Sequence, residues 1–200
     1  MLIEKPQRKS KRYLFTIGHS SHTLDKFLSL LNHYQIELII DTRSQPYSKY
    51  SPHFIAESLH GALTVAGIQY LFMGKELGGR PENKEFYDSD GHVLYWRLAG
   101  SALFKKGIRR VEQEIVTRRV AVMCSEEDPL GCHRRLLVGR VLIGRGIDLN
   151  HIRGDGHLQL EEDLVQKERQ DSLFDKPEKA VWRSIQSVLQ KGPRQSFSGH

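Results

Sequence analysis

Five short, mostly apolar runs, at residues 13–17, 36–40, 68–72, 120–124 and 147–152, alternate with segments of helical periodicity. A strand open to water on one face alternates apolar and polar residues, whereas a run with few polar interruptions is covered on both faces. The alternation of such runs with helices predicts an α/β fold. The expected architecture is a single domain with a mainly parallel sheet of about five strands flanked by helices. Thr23 caps the first helix, with Leu24, Phe27, Leu28 and Leu31 on one face. Ser51-Pro52 starts a second, running to Ala66 and stopped by Gly67. Further helices are predicted over 93–104, 108–118 and 133–143, the last broken by Gly144-Arg145-Gly146.

The domain spans 13–156 and is bracketed by two segments of different composition. Residues 1–12 carry five Lys/Arg against Glu4 alone, a basic arm able to add salt-sensitive affinity for phosphates. Residues 157–200 are a charged tail in which 161–170 is only weakly apolar. A terminal helix is expected over 177–190, with Val181, Trp182, Ile185, Val188 and Leu189 either covering the sheet or mediating dimerisation. The net charge is +6, but the arm holds most of it, which leaves no broad basic face on the body. No apolar run reaches membrane-spanning length, and the first residues lack the apolar core of a secretory signal. Two cysteines make no disulfide framework, so a cytoplasmic setting with thiols or metal ligands is expected.

Polar signatures follow the strands, and in parallel sheets ligands bind outside the strands' carboxyl ends. Cys124 ends one strand, and Cys132-His133-Arg134-Arg135 opens the next helix. A thiol at a helix N-terminus beside basic groups is activated as a nucleophile. Cys124, Cys132, His133 and His151 are also candidate ligands for a divalent metal, the one cofactor considered. Arg134 and Arg135 oppose the helix dipole and call for an anion, supplied by Glu126, Glu127 and Asp128 or by a bound phosphate. Asp41-Thr42-Arg43 offers a general base, or else an internal ion pair between Asp41 and Arg43. Gly18-His19-Ser20 and Gly78-Gly79-Arg80 are candidate anion-holding turns, without the dinucleotide or Walker glycine patterns. Tyr47 and Tyr70 lie near the same rim and are candidates for stacking on a base.

Taken in order, these pieces resemble the bacterial and archaeal domain of unknown function 488 family. The matching residues are Thr16-Ile17-Gly18-His19-Ser20; Asp41-Thr42-Arg43 with Pro46, Ser48 and Phe54; Tyr70 with Leu77-Gly78-Gly79; Met123-Cys124-Ser125-Glu126 with Cys132-His133-Arg134; and His151-Ile152. The family's usual Asp-Val-Arg stands here as Asp-Thr-Arg, and its Ser-Arg as Ser48-Lys49. The resemblance implies a compact α/β domain over residues 13–155 and a shared site at Cys124, Glu126, Cys132, His133 and Arg134, with no established reaction. A second likeness lies in the tail. Residues 170–174, with Gln170, Leu173 and Phe174, resemble the pentapeptide by which bacterial replication and repair proteins bind the sliding clamp.

The leading expectation is an enzyme acting on a phosphate-bearing substrate, a nucleotide or nucleic acid. Here Cys132, His133, Asp41 and Glu126 carry the chemistry, while Gly18, His19, Ser20, Arg43, Gly78, Gly79, Arg80, Arg134 and Tyr70 hold the substrate. The alternatives are a thiol-redox or metal protein using Cys124 and Cys132, and a non-catalytic nucleic-acid-binding module tethered to the clamp.

Overall fold

The computed structural model describes residues 12–172 and 182–188. In chain order the elements are β1 (Tyr13–Gly18), α1 (Leu24–His33), β2 (Leu38–Asp41), α2 (Ala56–Val65), β3 (Gln69–Phe72), α3 (Gly74–Leu77), α4 (Tyr95–Gly100), α5 (Ala102–Thr117) and β4 (Val120–Cys124). A π-helical stretch, Arg134–Gly139, then runs directly into α6 (Arg140–Ile143), followed by β5 (Asp148–Ile152), β6 (Leu158–Leu160) and α7 (Glu161–Ser172). The sheet has six strands in the order β3-β2-β4-β1-β5-β6, all parallel except for the β5–β6 pair.

Side chains of each strand point alternately to two separate cores. On one face Phe15, Ile17, Ile39, Ala121, Met123 and Ile152 pack against Phe27, Leu31, Leu59 and Leu63 of α1 and α2. On the other, Leu14, Leu38, Ile40, Val120, Val122 and Leu149 meet Phe104, Ile108 and Val111 of α5 and Leu137, Val138 and Leu142 of the π/α6 segment. Both faces are thus covered, as the apolar runs predict. β1 and β4 are neighbours whose outgoing chains leave toward opposite faces. This is the point in an open parallel sheet where a crevice forms beyond the strand ends.

Several boundaries differ from expectation. The segment read as one helix over 93–104 is divided at Ser101, whose hydroxyl accepts the Phe104 N–H and caps α5. The sixth strand is only three residues long, too short for a periodic signal. The charged stretch after Gly156 is helical. Glu161, Glu162 and Asp163 stand in the first turn of α7 and Arg169 in its last, matching the dipole, and among its described side chains Leu164 is the one in the core. Gln170 is helical and exposed, while Leu173 and Phe174 of the clamp-like pentapeptide lie outside the described residues.

The helix expected over 177–190 is not seen in its described part, because residues 182–188 run in bends along the chain at 91–93. Ser184 N–H donates to the Val93 carbonyl and Ser184 Oγ accepts the Val93 N–H, both at 2.9 Å, while Val188 N–H donates to the Gly91 carbonyl. Trp182 donates from its ring to the Leu136 carbonyl at 2.7 Å and lies under the Arg140 guanidinium. Backbone pairing wins over helix formation here because it satisfies groups on both segments at once. Ser184→Ala leaves the buried Val93 N–H without its acceptor. Urea unfolding of the full chain is expected to show a loss of about 1–3 kcal/mol.

Candidate functional site

The carboxyl ends of β1, β2 and β4 lie side by side, with Gly18 in register with Cys124 and Asp41 with Met123. The polar segments that follow them therefore meet at one edge. Gly18 is dictated by close approach, since a Cβ there would stand 1.8 Å from the Glu126 carbonyl oxygen. The loop after β4 thus rests directly on β1. His19 N–H donates to the Cys124 carbonyl at 3.0 Å and Ser20 N–H to the Ser125 carbonyl at 2.9 Å.

That loop closes on itself through its two cysteines. Cys132 caps the helical segment 133–143: its Sγ accepts the Arg134 N–H at 3.4 Å and its carbonyl accepts those of Arg135 and Leu136. The Sγ atoms of Cys124 and Cys132 are 2.8 Å apart, and both residues are buried free thiols. His133 Nε2 faces the Thr42 carbonyl at 3.1 Å and so acts as donor, and its Nδ1 lies 3.8 Å from Cys132 Sγ. Gly79 lies flat against this ring, where a Cβ would come within 2.7 Å of Cγ.

Arg134 is 1% exposed. Its Nη1 donates to Cys124 Sγ at 2.9 Å and to the Glu126 carbonyl, its Nη2 to the Glu127 carbonyl at 2.7 Å, and its Nε to Thr16 Oγ1 at 3.3 Å. Among the described residues no carboxylate pairs with it. Burial works against its charge, while Cys124 and Cys132 beside it pull the other way and hold its proton. The Cys124 thiol is pushed well up by burial first and by Cys132 beside it, with Arg134 and His133 pulling the other way. The sulfur, the hydroxyl and the two loop carbonyls that accept from this guanidinium lower the cost of burying it.

The structure gives the remaining charges different partners from those expected. Arg135 is neutralised by Glu161 at 2.9 Å and Glu168 at 2.8 Å, both from α7 rather than from the cysteine loop. Glu127 and Asp128 face His22 and Arg153 instead. Arg43 is spent on Asp41 at 2.6 Å, on the Phe54 carbonyl at 2.7 Å and on His19 Nε2 at 3.2 Å, so the internal ion pair is the arrangement realised. Tyr70 donates to Asp41 at 2.8 Å and belongs to this buried network. His151 sits in the sheet's interior, with Nδ1 on Thr16 Oγ1 and Nε2 on Glu161, each at 2.8 Å. With both ring nitrogens engaged it is separate from the sulfurs. The metal-capable group that the fold does assemble is Cys124, Glu126 and Cys132, with ligand atoms within 4.8 Å of one another. A tetrahedral ion bound to both sulfurs would hold them about 3.8 Å apart. Sharing an ion therefore requires the pair to open, and it would bring a second cation beside Arg134.

Above the sulfurs lies an open cleft of about 580 Å³, walled by Arg43, Ser44, Tyr47, Gly79, Arg80, Cys124, Glu126, His133 and residues 184–188. Arg80 is anchored by its backbone N–H on Ser44 Oγ at 2.9 Å, and its guanidinium forms no ion pair among the described residues. Tyr47 is 72% exposed on the same wall. The sequence pointed to Arg80 as one of several cations, and only the structure separates it from the two that are consumed internally. The 184–188 wall carried no sequence signal.

Two changes test this architecture. Gly18→Ala drives a methyl into the Glu126 carbonyl and is expected to cost about 1–3 kcal/mol or more in denaturant unfolding. His19 is held neutral: its Nδ1 donates to the Ser20 carbonyl, its Nε2 accepts from Arg43, and burial followed by Arg43 pushes it down to about 4. The unfolded chain binds this proton near pH 6.5 and the folded chain only near 4, so its contribution is complete above 6.5 and lost as pH falls toward 4. Urea midpoints at pH 7.5 and 5 should show His19→Gln losing about 2 kcal/mol less than the wild type over that interval.

Residues 23–141 match the family model described as Domain of unknown function DUF488. The match contains the Asp41-Thr42-Arg43, Gly78-Gly79 and Cys124-to-Arg134 pieces, while the Gly18-His19 and His151 pieces lie outside it. No curated protein and no solved structure matches the chain. With the α/β sheet and the conjunction of these motifs at its carboxyl edge, the match over more than half of its length places this chain in the DUF488 family.

Proposed function

We propose that this protein is a dithiol enzyme whose reactive centre is the Cys124–Cys132 pair and whose cleft receives an anionic substrate at Arg80. The observation that carries this reading is the 2.8 Å approach of two buried thiols onto a guanidinium with no carboxylate of its own. Closing that gap to a bond needs a movement of about 0.8 Å. Of the two cysteines Cys124 is the one that lines the cleft, with the Glu126 carboxylate 3.8 Å from its Sγ.

The reaction this arrangement supports is thiol–disulfide exchange. The Cys124 thiol gives up its proton to water, its thiolate attacks one sulfur of a substrate disulfide, and the substrate S–S bond breaks to release one thiolate. Cys132, as thiolate, then attacks Cys124 Sγ, the mixed disulfide breaks, and the second substrate thiol leaves. The substrate gains two electrons and two protons, and the protein is left with a Cys124–Cys132 disulfide. Arg134 offsets the negative charge on whichever protein sulfur carries it. His133 Nδ1 accepts the proton of Cys132 as it attacks. Arg80 meets the anionic part of the substrate, a phosphate or a carboxylate, with Tyr47 beside it on the same wall.

Equilibration in glutathione buffers, followed by acid trapping and mass spectrometry, should give one two-electron transition joining Cys124 to Cys132. Elemental analysis of the same reduced protein distinguishes the metal alternative. Thiols that stay reduced in every buffer, or a stoichiometric metal lost in Cys132→Ser, would overturn the proposal. Arg80→Ala should slow reduction of oxidised glutathione about fivefold, a contribution of ~1 kcal/mol from one exposed charge, and leave that of the uncharged hydroxyethyl disulfide unchanged.

A further inference from the structure

A line of four hydrogen-bonded groups runs through the interior from the first residue of α7 to the sulfur pair. Glu161 Oε2 lies 2.8 Å from His151 Nε2, His151 Nδ1 lies 2.8 Å from Thr16 Oγ1, and Thr16 Oγ1 lies 3.3 Å from Arg134 Nε. Arg134 Nη1 then reaches Cys124 Sγ at 2.9 Å. His151 and Thr16 are fully buried and face each other across the β1–β5 pair in register.

Every proton in the line has one possible direction. Arg134 has only donors, so Thr16 Oγ1 accepts from its Nε. The single Thr16 hydroxyl proton must then go to His151 Nδ1. With Nδ1 an acceptor, the neutral ring carries its proton on Nε2 and donates it to the Glu161 carboxylate. Burial keeps this ring neutral, against the pull of Glu161. The order of donors is therefore imposed from both ends, by a cation that cannot accept and a carboxylate that cannot donate.

The far end of the line stands on α7, which among its described side chains buries Leu164 in the core and is tied by Glu161 and Glu168 to Arg135. Two consecutive arginines thus connect one helix to the site, Arg135 directly and Arg134 through Thr16 and His151. A side chain needed only to fill this space would be apolar, because the surrounding sheet face is.

We propose that Thr16, His151 and Glu161 are positioning residues for the Cys124–Cys132 pair, fixing the Arg134 guanidinium against the sulfurs and coupling the seating of α7 to their ionisation. This rests on the reading of the pair as the reactive centre. The charged and titratable groups around the sulfurs are Arg134 and His133 from the helical segment, Glu126 from the loop and Tyr95 from α4. Only Arg134 is reached by the line.

The test is the thiolate absorbance at 240 nm of the full chain, measured against the Cys124→Ser/Cys132→Ser double variant across pH. It needs no substrate and no reagent access. In the wild type one thiolate should appear in a first transition. Thr16→Val, which keeps the shape and removes the hydroxyl, should raise its midpoint by about one pH unit, a tenfold change in the ionisation constant. Thr16→Ser, which restores the hydroxyl, should return it to the wild-type value. Glu161→Gln should move it in the same direction as Thr16→Val. Circular dichroism checks that each variant is folded, and His151→Gln replaces any that is not. A midpoint unmoved in folded Thr16→Val and Glu161→Gln, or the absence of any such transition in the wild type, would overturn the inference. A moved midpoint in a protein that reduces no disulfide would leave the line intact and remove the dithiol-enzyme reading alone.

Discussion

The fold at its functional edge depends on a single buried guanidinium. Arg134 is bound to a sulfur at the end of β4, to two carbonyls of the loop beyond it and to a hydroxyl in the middle of β1. A loop that turns its carbonyls inward cannot cradle an anion through its backbone. It is instead shaped to hold a cation, and that cation belongs to the protein. The loop after β4 is therefore unlike a phosphate-binding turn, although it occupies the same place between a parallel strand and a helix. Its geometry follows from Arg134, and so does the electrostatic setting of the two thiols.

Around this centre the carboxyl edge separates into a dry layer and a wet one. Below are networks with no buried side-chain polar atom left unpartnered among the described residues: Asp41 with Arg43, Tyr70 and the His19 system on one face, and Glu161, His151, Thr16 and Arg134 on the other. Above, lining the cleft, are Arg80, Tyr47, Glu126 and His133, the last with its Nε2 held on the Thr42 carbonyl. The dry layer fixes positions, and the wet layer is where a ligand finds unspent hydrogen-bonding groups.

The sheet, its parallel sense and the convergence of the motifs on one edge were legible in the sequence, because buried strands leave dense apolar runs and their ends leave abrupt polar ones. Cys124, Cys132 and His133 were legible for the same reason. The partners of the arginines were not. The acids nearest in sequence to Arg134 and Arg135 are Glu126, Glu127 and Asp128, yet Arg135 is neutralised from α7 and Arg134 by sulfur and carbonyl groups. Charge pairing is decided by distance in space, and a run of three acids carries no mark of which way it turns. Trp182 and Ser184 illustrate a related limit. Their apolar spacing fits a helix, but the unpaired backbone at 91–93 offers a better partner, and that offer is invisible in local periodicity.

The strand order carries a consequence for how the family's shared region is to be understood. β1 lies between β4 and β5, at the centre of the sheet, yet it precedes the segment over which the family model matches. Thr16, His151, Glu161 and the 184–188 wall of the cleft are likewise contributed from outside that segment. The recognisable stretch is thus a signature and not a building block: cut out by itself it would be half a sheet, β3-β2-β4, with the edge of β4 bare and the loop after it deprived of the strand it rests on.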